Sequence, residues 1–278
     1  MPEKIAVDLG NVQKTMFLPL WGRASETRKE KPLLVDKTAL EILNRVDYDF
    51  STIALKISEL SRVAWIMRSI CVDEVINDFL GRCPHGTVVN IGCGLDTTFD
   101  RIDNGKVTWY DLDLPDVICL RKKFIPETGR RKFIAASFLE EGWLNEIRVE
   151  AQVLFVAAGV FYYFDEQQIK TFLIRLADRF PGSEILFDVS SPYGVKVANR
   201  AVIRRSGLDE KSFLTWGVSS PEVITGWDKR LRLLNSYWYF GEKARPLPLR
   251  TRLFGWLSDR LKIQYMIHLS MGCAEQHI

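Results

Sequence analysis

Two short stretches carry residue types that could hold a ligand. The first is Asn90-Ile91-Gly92-Cys93-Gly94-Leu95-Asp96. Glycines at a strand end let the backbone approach a ligand with no Cβ in the way. The same pair also serves as a plain tight turn. A dinucleotide fingerprint would place a third glycine three residues after Gly94. Thr97 stands there instead, which disfavours nicotinamide and flavin dinucleotides. The second stretch is Trp109-Tyr110-Asp111-Leu112-Asp113. Asp111 and Asp113 lie 19 and 21 residues after Gly92. At about that separation a carboxylate can accept hydrogen bonds from ribose hydroxyls. The alternatives are a solvated strand end, or Asp113 capping a helix that opens at Pro115.

Both stretches need rigid elements behind them, and the surrounding pattern supplies these. Val72, Val75, Ile76, Phe79 and Leu80 recur at helical spacing. After the breaker Cys83-Pro84-His85-Gly86, the β-branched run Thr87–Ile91 predicts a buried strand that delivers the glycine loop. Val107–Asp111 and Lys132–Ala136 predict two more strands, and Val153–Ala158 a fourth, apolar throughout as a strand covered on both faces should be. Asp165 with Gln168 forms a capping box for a helix buried along Ile169, Phe172, Leu173, Leu176, Ala177 and Phe180. Glu184–Val189 predicts a fifth strand. Strand–helix alternation at this spacing implies an open α/β sheet, mostly parallel and doubly wound, with ligands bound beyond the carboxyl ends of its strands. Leu231–Phe240 and Lys262–Leu269 predict an antiparallel pair that would bring the sheet to seven strands, with no clear helix between them. Residues 1–70 read as a helical cap packed on a ligand-binding domain of residues 71–278.

Composition narrows the function classes. The 278 residues are 47% hydrophobic, 26% charged and 12% aromatic, which excludes a disordered or collagen-like chain. Thirty-eight basic against 35 acidic residues leave +3, too little to argue for nucleic acid. The longest apolar run, Val153–Phe164, has twelve residues, short of the roughly eighteen of a membrane span. Met1–Gly10 has no signal-like apolar stretch, so a cytoplasmic location is expected. Five scattered cysteines without a CxxC pair suggest neither a disulfide framework nor a zinc site. Only His85, His268 and His277 could serve as a histidine base.

The glycine loop followed by an acid after the next strand resembles a Rossmann-like class I methyltransferase using S-adenosyl-L-methionine. VVNIGCGLDTTF is similar to the leucine carboxyl methyltransferase family. WGRASETRKEKP, VDYDF, WYDLDLPDV, LADRFPG and MIHLSMG resemble its bacterial branch, named for the O-methyltransferase of tetracenomycin polyketide synthesis. The likeness runs from about Lys14 to Gly272. It implies that Arg68 pairs with the methionine carboxylate of the cofactor, a role suited to a guanidinium fork. Without the resemblance, Arg68 reads as a surface charge. It further implies that Gly92 and Gly94 lie under the methionine moiety and that Asp113 binds ribose, with Asp111 a near alternative. Ser137-Phe138 stand where the family has an Asp-Leu pair against adenine. Ala158 stands where the family has a glutamate expected to contact the cofactor, and an alanine cannot accept the ammonium's hydrogen bond. Tyr163 matches a tyrosine near the transferred methyl, although a core aromatic beside Phe164 reads equally well.

The implied activity is methyl transfer to a small-molecule acceptor, through a carboxylate or another oxygen. A carboxylate is ionised at pH 7 and needs no general base, in keeping with the scarcity of histidines. These motifs do not separate oxygen from nitrogen acceptors. Ala158 and Ser137 also fit a cofactor-binding protein with impaired catalysis. Lys14, Arg23 and Arg28 could reach a cofactor or anionic acceptor, though Arg23 and Arg28 read first as surface charges. Residues 241–260 mix basic and apolar side chains and read as a solvated connection with one buried face. A lid or a membrane-surface helix are the other readings.

Overall fold

A computed structural model describes residues 4–6, 15–206 and 210–272. Its centre is a seven-stranded sheet: β1 (Thr87–Ile91), β2 (Thr108–Asp113), β3 (Arg131–Ala135), β4 (Val153–Ala157), β5 (Glu184–Val189), β6 (Leu231–Trp238) and β7 (Tyr265–Met271). The strand order is β3-β2-β1-β4-β5-β7-β6. The first five strands are parallel, and β7 runs antiparallel between β5 and β6. The helices of eight residues or more among the described residues are α1 (Phe17–Thr27), α2 (Lys37–Arg45), α3 (Glu59–Arg82), α4 (Pro115–Lys122), α5 (Glu166–Arg179) and α6 (Leu249–Arg260).

Every residue of β1, β4 and β5 is buried. Val88, Leu154 and Val156 point into one core with α3; Val89, Phe155 and Ala157 point into the other with α5. Helices on both faces are what crossover connections between parallel strands require, and continuous apolar strands follow from it. The capping box at Asp165 is present, and Ile169, Phe172, Leu173, Leu176 and Ala177 are the buried face of α5. Phe180 falls on the cap residue that ends this helix, half-buried against the core.

Several boundaries differ from the sequence reading. The second strand runs two residues further, so Asp113 is its last residue, opposite Ala135. Helix α3 begins at Glu59, not near residue 71, with Ser58 accepting the Ser61 N–H as its cap. Residues Trp65 to Ser69 are all buried, because the cap covers one side of α3 and the sheet the other. Burial on both sides erases the 3.6-residue period that marks a surface helix. Residue 70 lies inside this helix. The last strand begins at Tyr265, because α6 precedes it and Lys262 takes a left-handed φ of 49° in the turn between them.

The N-terminal helices share one cluster with the sheet domain. Phe17, Leu20 and Ala24 of α1 meet Ala39, Ile42 and Leu43 of α2, together with Leu95, Leu120 and Phe124. Burying each large apolar side chain contributes roughly 1.5–3 kcal/mol. That packing brings the start of α1 over the glycine loop.

Candidate active site

The carboxyl ends of β1, β2 and β4 open into a cavity of about 520 Å³. Arg68, Gly92, Gly94, Asp113, Ser137, Phe138, Ala158 and Tyr163 all line it. These residues come from one helix and four strand ends scattered over nearly 100 positions, and only the parallel sheet brings them together.

The glycine loop is built for close approach. Gly92 has φ +62°, and a Cβ there would lie 2.4 Å from Val160 Cγ2. Gly94 has φ +46°, and its Cβ would meet Met16 of the cap at 3.1 Å. Both positions therefore need glycine on conformational and steric grounds. Asp113 accepts the Gly94 N–H at 2.7 Å through Oδ2 and the Leu114 N–H at 2.8 Å through Oδ1. Each oxygen keeps a lone pair for a ligand hydroxyl. Burial pushes the Asp113 pKa up against the pull of those two bonds. Asp113 is not a helix cap: Leu114 occupies that position ahead of Pro115.

Asp111 does not reach the cavity, which corrects its place as an alternative ribose ligand. It is fully buried. Its Oδ1 accepts Asn90 Nδ2 at 3.1 Å and Trp109 Nε1 at 2.9 Å, and its Oδ2 pairs with Arg121 at 2.7 Å and Arg131 at 3.2 Å. No lone pair is left over. Arg121 in turn donates to the Gly94 carbonyl at 2.9 Å, so Asp111 supports the loop from behind.

Arg68 is not the surface charge its sequence context suggested. It is buried in the middle of α3, ion-paired to Asp188 at 3.0 Å and donating to the Tyr162 hydroxyl at 3.2 Å. Both bonds use Nη1, so the Nη2–Nε edge has no partner among the described residues. Asp188 is the site residue that sequence reasoning missed. It ends β5 one residue before the last, is fully buried, and also accepts the Gly159 N–H at 2.6 Å and Gln264 Nε2 at 3.0 Å. The available signal was a charge in the otherwise apolar run Ile185–Val189, at the strand end where Asp113 sits in β2. Along the chain no acid lies within six residues of Ala158; the fold brings Asp188 against its neighbour Gly159.

Arg23 corrects in the same direction. It is buried, pairs with Asp36 at 2.9 Å, and donates to the Leu95 carbonyl at 3.3 Å beside the cavity. Burial works against ionisation of nearby Asp96, yet Arg23, Arg101 and the Thr98 N–H hold its carboxyl at about 2. Arg28 is on the surface, donating to Asn44. Lys14 lies outside the described residues.

Ser137 sits at the rim with its hydroxyl accepting the Leu139 N–H at 3.3 Å. Phe138 packs edge-on to Phe164 and Phe172. Tyr163 is hydrogen-bonded to Thr15 of the cap, and burial pushes its pKa up.

A cradle that a Cβ would fill, a half-committed carboxylate and a cation edge suit one kind of ligand. It carries a carboxylate at one end and a diol at the other. Residues 17–177 match the model of the leucine carboxyl methyltransferase family, more than half of the chain. The chain belongs to the leucine carboxyl methyltransferase family. It is an S-adenosylmethionine-dependent methyltransferase. It is 33% identical over 220 residues to the tetracenomycin polyketide synthesis O-methyltransferase of Streptomyces glaucescens, covering 78% of this chain and 79% of that one. An S-adenosyl-L-methionine-dependent methyltransferase of Gibberella zeae is 25% identical over 241 residues, 80% of each chain. In fold, a crystal structure of a DUF574 family protein from Streptomyces avermitilis superposes with a TM-score of 0.57 at 11% identity. That match covers 76% of this methyltransferase and 85% of its neighbour.

Ala158 lines the cavity beside Gly159, whose Cβ would lie 2.9 Å from Arg68 Nη1. Asp188 does not take the place of the missing glutamate, because it is fully buried outside the cavity lining and already holds three donors. Ala158→Glu is therefore expected to tighten S-adenosylhomocysteine binding by roughly 1.5–3 kcal/mol through a charge-assisted bond to the ammonium. Isothermal titration of both proteins checks this. Weaker binding with an intact circular dichroism spectrum would show that the new carboxylate captures Arg68 instead.

Proposed function

We propose that this methyltransferase moves the sulfonium methyl to an oxygen of a small, largely apolar acceptor, a carboxylate oxygen by preference. The observation that carries the reading is one cavity in which Arg68, the glycine loop and Asp113 converge, with no histidine in its wall among the described residues. Bound S-adenosylmethionine supplies a methyl group already activated by the positive sulfur. Arg68 would hold its carboxylate, the Gly92–Gly94 loop its methionine backbone, Asp113 its ribose, and Ser137 with Phe138 its adenine. The chain's own contribution is then alignment and exclusion of water.

Leu18, Trp65, Val202, Ile203, Leu214 and Phe164 give the cavity an apolar wall that suits a polyketide-like acceptor. Val202 and Ile203 come from a single π-helical turn, Asn199–Ile203, a rare conformation that recurs at functional sites. His268 is bound to Glu184 at 2.8 Å, away from the cavity lining. We infer a cytoplasmic reaction without nucleic acid partners. Among the described residues no helix is long and apolar enough to cross a membrane.

Saturating S-adenosylhomocysteine tests the cofactor assignment. At 100 times its dissociation constant a ligand of the folded state adds about 2.7 kcal/mol to stability. No calorimetric heat and no melting shift at millimolar ligand would end this reading. The absence of a base is tested at Tyr163. With its pKa raised by burial and its hydroxyl held by Thr15, Tyr163 positions and does not take a proton. Tyr163→Phe should lower kcat by less than tenfold, with an unchanged pH profile between 6 and 8 on a carboxylic acid acceptor. A loss of a thousandfold or more would identify Tyr163 as an acid–base group.

A further inference from the structure

Helix α6 is oriented the wrong way round for a surface helix. Only Thr251 and Gly255 are buried, with Gly255 pressed against the Phe240 ring. Its large apolar side chains face solvent: Leu249 is 78% exposed, Leu253 62%, Trp256 57% and Leu257 45%. At 3.6 residues per turn these four fall within an arc of about 100°, opposite Thr251 and Gly255, and Phe254, 48% exposed, lies about 60° beyond its edge. Arg260 lies inside that arc, Arg250 at one edge, and Arg252 on the flank. Among the described residues no carboxylate pairs with any of the three. Arg250 lies over Phe254 and Arg260 over Trp256, each 5.8 Å from the ring centroid. The one acid of the helix, Asp259, is turned inward and accepts the Phe240 N–H at 2.9 Å.

We propose that α6 is a docking surface for an anionic lipid bilayer, lying in the plane of the headgroups. Charge complementarity selects this occupant. A two-fold contact with a second copy would set two arrays of arginines against each other with no acid on either face. A bilayer presents phosphates to the arginines and acyl chains to the leucines, and Trp256 suits the boundary between them. The arginines flanking the apolar arc can extend their heads to the phosphates while their stems cover apolar surface. Neighbouring cations are already neutralised: Lys243 pairs with Glu74 and Arg245 with Glu242. The charge offered to a membrane is thus concentrated on α6.

Flotation of the full chain with vesicles of neutral phosphatidylcholine, with and without 30% phosphatidylglycerol, tests the proposal. Binding is expected on the anionic vesicles, about fivefold tighter per arginine than on neutral ones, and lost in half-molar salt. The double variant Leu253→Glu, Trp256→Glu should abolish flotation. Because both residues are exposed, its melting temperature and S-adenosylhomocysteine affinity should equal those of the parent. Absence of flotation by the folded parent overturns the proposal, as does flotation that survives in the double variant. If the parent is instead a dimer in the ultracentrifuge that Leu253→Glu dissolves, the face belongs to a second copy and the membrane assignment falls.

Discussion

Arg68→Ala is expected to weaken S-adenosylhomocysteine binding by about 2–4 kcal/mol, while Arg28→Ala leaves it unchanged. Arg68 lines the cavity from the buried middle of α3, and its Nη2–Nε edge has no protein partner among the described residues. Removing it takes away the cation that would meet the cofactor carboxylate. It also leaves Asp188 buried with its charge uncompensated, so the variant should melt earlier as well. Arg68→Lys separates the two losses. A lysine keeps the ion pair with Asp188 but cannot grip a carboxylate with two parallel bonds. Its melting temperature should stay near that of the parent while its affinity falls. Titration calorimetry on all three variants decides. Equal affinities for Arg68→Ala and Arg28→Ala would remove Arg68 from the binding site altogether.

Asp188→Ala is expected to cost about 3–5 kcal/mol of folding stability, the usual range for breaking one partner of a buried ion pair. The carboxylate orders three donors that belong to different elements: Arg68 of α3, Gly159 after β4, and Gln264 before β7. Without it a guanidinium is buried with no counter-charge, and the Gly159 N–H, held in a loop at φ +89°, loses its acceptor. Part of the loss should return when S-adenosylhomocysteine is added. The ligand's carboxylate would then supply a negative charge beside Arg68. Denaturant unfolding with and without ligand measures both quantities. A change below about 0.5 kcal/mol in the ligand-free protein would show that Asp188 does not hold this end of the sheet together.

Much of the fold was legible in the chain because parallel strands buried on both faces need unbroken apolar runs. Val153–Ala157 is such a run throughout, while Val88–Ile91 and Ile185–Val189 are each interrupted by one polar residue, Asn90 and Asp188. The glycine loop was legible for a local reason. Positive φ at Gly92 and Gly94 is a demand of the backbone itself, and glycine is the residue that meets it without strain. Helix α6 escaped because its apolar residues face outward, so neither its pattern nor its charges resemble a core-facing helix.

What the sequence could not decide is how charges share a buried space. Asp111 and Asp113 are two residues apart in one strand, so alternation puts both on the same face of the sheet, and depth separates them: Asp111 lies inside the strand and Asp113 at its carboxyl end. One is enclosed by Arg121, Arg131, Asn90 and Trp109; the other opens on the cavity. Arg68 and Asp188 are 120 residues apart and 3.0 Å from each other. Local sequence determined the strands, the glycine loop and the type of residue at each strand end. Only the tertiary structure decided which of those side chains are free for a ligand, because a buried carboxylate is available only after every neighbouring donor has been counted.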